Sequence, residues 1–479
     1  MKKEVLSAVL FALLLVTLSC DLLKEPEPTP YTFPMPTTFF TAISSDSTSP
    51  NAFEITNAPL STPSPTFGLY PTPTAKKWPL PYFGSPGPTE VTPIPHPAPV
   101  FHDPDSITLL LLGSDKRKSS FRTDTMVAVI FQPDYHVVTL LSIPRDLFVY
   151  IPGWKMQRIN AAFQYGETEH YPGGGPALVK DTLLYNLGIE VDYYALVDFE
   201  GFKNIIDILG GVDVPVVCPY TDWRLISPNL NPEKENNWHL YTVKPGVVHM
   251  DGDLALWYVW ARKKSSDFDR NRRQQEMLRA IYSQELRLDM IGKIPELYEE
   301  ISQSLSTDFT LVDALSLAPK IFDLPSSQVR SFYINSSMLT GWITPQNAAV
   351  QIPKGQVLYN LLREALSPPD EVEQSRVGLV VEVWNGTSAY GWEVLAAERL
   401  NYAGYDTVIN PPDRYNYSQT LIFDHTEDQD PEQVNNLLKL FKLDEFRLIK
   451  FPDPTYPYDY KVILGADYDP CFKPKDITR

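Results

Sequence analysis

Residues 108–143 read TLLLLGSDKRKSSFRTDTMVAVIFQPDYHVVTLLSI, and three apolar runs within them decide the fold. Thr108 to Leu112 is continuously apolar and stops at Gly113, as a buried strand does. Thr125 to Phe131 and His136 to Ile143 are rich in β-formers, and the Pro133-Asp134 pair between them is a turn signal. Those two runs are therefore expected to form a hairpin. The charges gather where the runs end: Gly113-Ser114-Asp115-Lys116-Arg117, Arg122-Thr123-Asp124-Thr125 and Ser142-Ile143-Pro144-Arg145-Asp146. A second set follows at Arg262 and at Asp267-Phe268-Asp269-Arg270-Asn271-Arg272-Arg273-Gln274-Gln275.

The 479-residue chain carries a formal net charge of −18, so arginines collected at strand ends indicate a local anion site and not a basic bias. The planar guanidinium fork suits phosphate, because it donates two parallel hydrogen bonds and stays charged. Aspartates beside those arginines would repel phosphate unless a divalent cation lay between them. The net charge and the lack of a helix-turn-helix pattern argue against nucleic acid as a partner.

Outward from this region, Gly173-Gly174-Gly175-Pro176 opens an expected helix to Leu187, Tyr193 to Val197 reads as a strand and Phe199 to Leu209 as a helix. Val212 to Val217 reads as a strand, and Leu254 to Tyr258 and Gln274 to Leu286 as helices. Interleaved strands and helices give an α/β class with a mixed central sheet covered by helices on both faces. This domain is expected over 106–366, with short elements such as Phe309 to Ala318 and Val357 to Ala365 completing it. A break at Ser367-Pro368-Pro369-Asp370-Glu371 precedes a small α/β domain over 377–466. Its expected elements are Val377–Val383, Trp392–Tyr402, Thr407–Ile409, Thr420–Phe423, Pro431–Phe441 and Tyr460–Leu464, with Asn385-Gly386-Thr387 as a turn. The Gly173–Gly175 run can be a flexible loop or a phosphate cradle. Arg270 and Gln274, four apart, are expected to point inward together, with Arg272 and Arg273 on the surface.

The N-terminus sets these domains in a compartment. Lys2 and Lys3 precede an apolar run from Val5 to Ser19, shorter than the roughly twenty residues of a spanning helix, in the pattern of a secretory signal. Thr17-Leu18-Ser19-Cys20 resembles a lipobox with Thr17 where leucine is usual. A lipoprotein-type signal over 1–20, acylated at Cys20, is expected, with an uncleaved anchor as the alternative. Pro26 to Pro104 holds 20 of the 45 prolines and has no apolar period, so 21–105 reads as a Pro/Thr/Ser-rich tether unable to pack a core. After Cys20 only Cys218 and Cys471 remain, open to one disulfide or to two separate thiols.

The run from Leu109 to Gln275 resembles the LytR-CpsA-Psr family of envelope phosphotransferases. Beyond the arginine motifs, Arg158-Ile159-Asn160-Ala161-Ala162-Phe163, Val191 to Phe199 (VDYYALVDF), Gly210-Gly211-Val212 and His249-Met250-Asp251-Gly252 occur in the family's order. Residues 377–466, with Val383-Trp384-Asn385-Gly386-Thr387, look like the C-terminal domain often appended to it. The resemblance implies transfer of a glycopolymer phosphate from a polyprenyl-pyrophosphate carrier to a peptidoglycan hydroxyl, at the outer face of the cytoplasmic membrane. Pyrophosphatase activity is an implied side reaction. It also implies Mg²⁺ on Asp115 and Asp124. Arg122, Arg145, Arg262 and Arg270 would grip the pyrophosphate, Gln274 would donate to its oxygens, and Arg117 would be a further contact. Arg122, Arg145 and Asp267 are the candidate catalytic residues, Asp267 either orienting an arginine or serving as base. Where the family has a first arginine in "YVRxR", this chain has Trp260 in Tyr258-Val259-Trp260-Ala261-Arg262. A non-catalytic protein binding polyprenyl phosphate or glycan is therefore the alternative. The lipid tail implies an apolar groove, for which Leu183, Leu184, Leu187, Phe202, Ile205, Ile206 and Leu209 are candidates; without the resemblance these stripes are core.

Overall fold

Alternation along the first strand builds two cores. In the computed structural model, which describes residues 94–100, 103–117, 120–285, 305–310, 312–313, 316–317, 324–427 and 430–471, β1 (Ile107–Arg117) sends Leu109 and Leu111 to one face and Leu110 and Leu112 to the other. Successive strand side chains point to opposite faces, so an unbroken leucine run requires cover on both. β2 (Ser120–Gln132) pairs antiparallel with β1 and with β3 (Val137–Ser142), the turn at Pro133–Tyr135 closing on His136 in the left-handed region. The expected hairpin is thus the second half of a three-strand meander.

Downstream come the hairpin of β4 (Phe148–Tyr150) and β5 (Met156–Arg158), then α1 (Ala162–Thr168) and α2 (Gly174–Leu187). β6 (Tyr193–Val197) returns parallel to β1, and α3 (Phe199–Ile208) follows it. β7 (Val212–Val216), β8 (Tyr220–Leu225), β9 (Trp238–Val243) and β10 (Gly246–Met250) make two small antiparallel pairs, β7 with β10 and β8 with β9. α4 (Gly252–Trp260) and α5 (Asp267–Glu285) come next. β11 (Leu305–Thr307) and β12 (Val329–Tyr333) complete a six-stranded mixed sheet of order β11-β6-β1-β2-β3-β12. β13 (Leu339–Ile343) and β14 (Ala349–Pro353) pair with each other before α6 (Gly355–Leu366).

The two faces of the sheet are covered by different helices. Leu109, Leu111, Val127 and Val129 pack with Phe202, Ile205, Tyr258, Met277 and Ile281, from α3, α4 and α5. Leu110, Leu112, Met126 and Ala128 pack with Leu178, Leu183, Leu358 and Leu362, from α2 and α6. The candidates for the expected groove divide between the two cores: Leu183 and Leu187 lie on one side of the sheet, and Phe202, Ile205, Ile206 and Leu209 on the other. The glycine run also departs from both of its readings. Gly175 N–H donates to Glu167 Oε1 at 2.7 Å, and a Cβ on Gly175 would lie 2.5 Å from Phe163 O. These glycines let α1 and α2 approach closely. Residues from the end of the expected tether run along α2, where Ala98 N donates to Tyr185 O at 2.7 Å and the Tyr185 hydroxyl to Pro95 O at 2.8 Å.

The second unit is a five-stranded sheet. β15 (Val380–Asn385), α7 (Trp392–Tyr402), β16 (Asp406–Ile409), β17 (Leu421–Asp424), α8 (Pro431–Phe441), β18 (Leu448–Lys450) and β19 (Tyr460–Leu464) give the strand order β16-β15-β19-β17-β18. It is bound tightly to the first unit. Cys218 and Cys471 form a disulfide, beside Val217, Leu395, Tyr402 and Trp392. Among the described residues no helix is long and apolar enough to cross a membrane. The signal segment, Cys20 and the tether before residue 94 lie outside the described residues, as do Leu286 and the side chains of Asp115, Arg117 and Arg122.

Candidate anion site at the strand ends

The site is built where β1, β2 and β3 end beneath the first turns of α5. Pro144 cannot donate to a sheet ladder, so β3 stops at Ser142 and the chain turns out with Arg145 and Asp146. Opposite, the β1–β2 register shifts by one residue: Gly113 faces Thr125, and Ser114 faces Thr123. Asp124 is the residue left over. Such a bulge re-aims the extra side chain, and Asp124 points into the protein, 5% exposed. On the neighbouring rungs the backbone of Asp115 pairs with that of Arg122, which brings the two expected metal-binding residues close along the hairpin.

Three of the predicted arginines converge here. Arg145 Nη1 lies 3.0 Å from Asp124 Oδ1, and its Nε lies 3.4 Å from Asp146 Oδ2. Asp146 also meets Arg158 Nη1 at 3.4 Å. From the other side, Asp267 Oδ1 holds Arg262 Nη1 at 3.2 Å and Arg270 Nη2 at 3.1 Å. Asp267 thus lashes together two arginines from different segments. Burial alone would raise its pKa, but Arg270, Arg145 and Arg262 outweigh that and hold its carboxyl below the usual carboxylate range. Arg270 is 2% exposed, and its Nε and Nη1 are buried without a hydrogen-bond partner among the described residues. Burial, reinforced by Arg145 and Arg262 and opposed by Asp267, pushes it down to about 10. A cation strained in this way is suited to an anion that supplies acceptor oxygens.

Gln274 faces the same way one turn later, donating to Thr125 Oγ1 at 2.9 Å. Sequence reasoning gave no role to Asn160, whose Nδ2 lies 3.5 Å from Asp124 Oδ1, or to Asn271, whose buried Nδ2 has no partner among the described residues. Both stand in quoted motifs, Asn160 in Arg158–Phe163 and Asn271 in Asp267–Gln275, a signal that was available. Trp260 ends α4 and sets its ring edge-on to Phe199 at 6.2 Å.

Arg272 and Arg273 correct an expectation, since neither lies on the surface. Arg273 is 0% exposed. It donates to Tyr258 O, to Ala261 O at 2.6 Å and to Ser265 Oγ at 3.1 Å, with its guanidinium 3.7 Å from the Tyr220 ring centre. These carbonyls end α4 and need donors, so Arg273 fixes the segment that presents Arg262. Arg272 pairs with Glu276, which accepts from the Tyr258 hydroxyl at 2.9 Å.

Comparison with known proteins gives a consistent result. A sequence model of the LytR-CpsA-Psr family matches residues 88–365. Over 215 residues the chain is 30% identical to the polyisoprenyl-teichoic acid–peptidoglycan teichoic acid transferase TagU of Oceanobacillus iheyensis, a match covering 44% of this chain and 62% of that protein. Over 244 residues it is 31% identical to the like-named TagT of Bacillus subtilis, covering 50% and 69%. Over 201 residues it is 32% identical to the regulatory protein MsrR of Staphylococcus aureus, covering 41% and 54%. The matches to TagU and MsrR therefore span less than two thirds of those proteins. Among solved structures, TagV of B. subtilis aligns with 56% of this chain and 100% of its own at 26% identity and a TM-score of 0.44.

Proposed function

Because the chain belongs to the LytR-CpsA-Psr family, we propose that it transfers a glycopolymer phosphate from a polyprenyl-pyrophosphate carrier to a hydroxyl of peptidoglycan. The names of TagU and TagT, transferases of polyisoprenyl-linked teichoic acid to peptidoglycan, support this substrate class. The observation that carries the reading is Arg270, a buried guanidinium with two nitrogens that have no partner among the described residues, beside Arg145 and Arg262. Pyrophosphate oxygens would satisfy those nitrogens and offset the mutual repulsion of the arginines.

The acceptor oxygen forms a bond to the sugar-linked phosphorus, the bridging P–O bond breaks, and its electron pair leaves with polyprenyl phosphate. Water in place of the acceptor gives pyrophosphate hydrolysis as a side reaction. Phosphoryl transfer depends on positioning and charge neutralisation, which Arg145, Arg262, Arg270 and Gln274 would supply, with Arg117 and Arg122 added on sequence grounds. The acceptor proton goes to a general base. Asp267, held below the usual range by three arginines, is a weak base and is better suited to orienting Arg262 and Arg270. Mg²⁺, when bound, would neutralise pyrophosphate charge. A bulged Asp124 beside Asp115 fits the one or two carboxylates that Mg²⁺ takes along with substrate phosphates. Acylation at Cys20 and a place at the outer membrane face belong to the same proposal, supported by the signal pattern at residues 1–20.

The test is mass-spectrometric detection of polyprenyl phosphate released from a polyprenyl-pyrophosphate glycan, with and without Mg²⁺. Release by the intact chain, lost in Arg270→Met, supports the reading; release undiminished in that variant overturns the assignment. Trp260 favours a second reading, binding without turnover, which predicts retained ligand and no release.

A further inference from the structure

α5 bears Arg272, Glu276 and Arg279 at i, i+4 and i+7 on one helical stripe. A stripe of three charges is ordinarily solvated, yet Glu276 and Arg279 are each 4% exposed and the Arg272 side chain 11%. The second domain helps to cover them. Arg279 donates through Nε to Glu398 Oε1 at 2.5 Å, through Nη1 to Val329 O at 2.7 Å and through Nη2 to Ser326 O at 3.2 Å. Its guanidinium also stacks 4.2 Å from the centre of the Tyr402 ring. Glu398 and Tyr402 both belong to α7, which is seated beside the Cys218–Cys471 disulfide.

We propose that the second domain is a brace for the anion site, and that Glu398 and Tyr402 are positioning residues acting through Arg279 on Arg270 and Gln274. This rests on reading the arginine cluster as a pyrophosphate site. The physical link is the helix itself. Arg270 and Arg279 are nine residues apart on one rigid rod, roughly 14 Å at 1.5 Å per residue. Gln274, between them, meets Thr125 at 2.9 Å, and a hydrogen bond tolerates only tenths of an ångström of axial slip. Arg279 is the point at which the second domain grips the rod by charge. Without Glu398 its guanidinium is a buried cation short of its carboxylate, and a helix that can relieve this by shifting carries the site with it.

The experiment is titration calorimetry of the full chain with geranylgeranyl pyrophosphate, well below the unfolding temperature and with circular dichroism confirming the fold. Glu398→Ala is expected to weaken binding about tenfold. Glu398→Gln, which keeps an acceptor for Nε, is expected to stay within about threefold of wild type. Loss of packing alone would lower the unfolding temperature of both variants and leave affinity untouched, and that result overturns the brace. Where Glu398→Ala fails to fold, Glu398→Gln and Tyr402→Leu carry the same comparison. Wild-type binding with unchanged variants defeats the brace alone. Failure of the wild type to bind the probe overturns the anion-site reading and the brace together.

Discussion

Replacing Arg270 by methionine would separate the cost of the site from its use. The folded protein holds this guanidinium at a pKa of about 10 against an ordinary 12.5. At about 1.4 kcal/mol per tenfold, keeping it charged at neutral pH costs about 3 kcal/mol of folding stability. The sign follows from linkage: between about pH 10 and 12.5 the unfolded chain binds the proton that the folded chain has lost, so stability rises with pH there and the full cost lies below. Methionine fills similar space without charge, and Asp267 keeps Arg262 at 3.2 Å. Scanning calorimetry of the ligand-free variant should therefore show a midpoint unchanged or raised by up to roughly 6–12 °C, at about 2–4 °C per kcal/mol for a domain near this size. Polyprenyl pyrophosphate at a hundred times its Kd should stabilise the wild type by about 2.7 kcal/mol and the variant by nothing. A fall of several degrees without ligand, or a surviving ligand shift, would refute the reasoning.

Other perturbations separate the remaining roles. Arg145→Ala should abolish transfer while circular dichroism stays native, because the pairs it loses, to Asp124 and Asp146, lie at a strand end. Asp267→Asn should lower transfer by about tenfold and leave the acid limb of the pH profile in place, whereas loss of a general base would cost about a hundredfold or more. The stability that Asp267 contributes should be present above the ordinary carboxylate range and vanish only as pH falls below it, measurable as an acid-denaturation midpoint that Asp267→Asn moves. Arg273→Leu should lower stability by about 3 kcal/mol or more in urea titration, since it removes the side-chain donor to Tyr258 O and leaves Ala261 O to the Tyr220 hydroxyl alone. Cys218→Ser should cost up to about 5 kcal/mol for a crosslink closing so long a loop, and should make urea midpoints indifferent to reductant.

The strands of the central sheet were legible because their information is local. Leu109 to Leu112 has to be buried on both faces, and Pro133-Asp134 has to turn. The expectation for α5 began at Gln274, whereas the helix starts at Asp267; its first two turns are charged and carry no apolar period. β8 and β9 went unread for a related reason. Trp223, Arg224, His239 and Tyr241 alternate in no simple polarity; Trp223 and Tyr241 are placed by Trp257, and Tyr220 by Arg273, farther along the chain. Arg145, Arg262, Asp267 and Arg270 could be proposed from motif order, and the structure brings them together. Arg273 could not, since Arg270-Asn271-Arg272-Arg273 has the composition of a solvated face. Only the Tyr220 ring and the end of α4 make an interior for it, and neither is a sequence neighbour. Asp124 is an intermediate case: its identity is written in the sequence, its direction in a one-residue slip of register.

The crosslink from Cys218 to Cys471 also imposes an order in time. A chain that leaves the ribosome from its N-terminus presents α5 long before Cys471. Until that part of the chain arrives, Arg279 lacks the Glu398 and Tyr402 side chains set against it, and Cys218 lacks Cys471. The clasp can close only after both units have been made. A truncated nascent product would carry the arginines without the cover behind them.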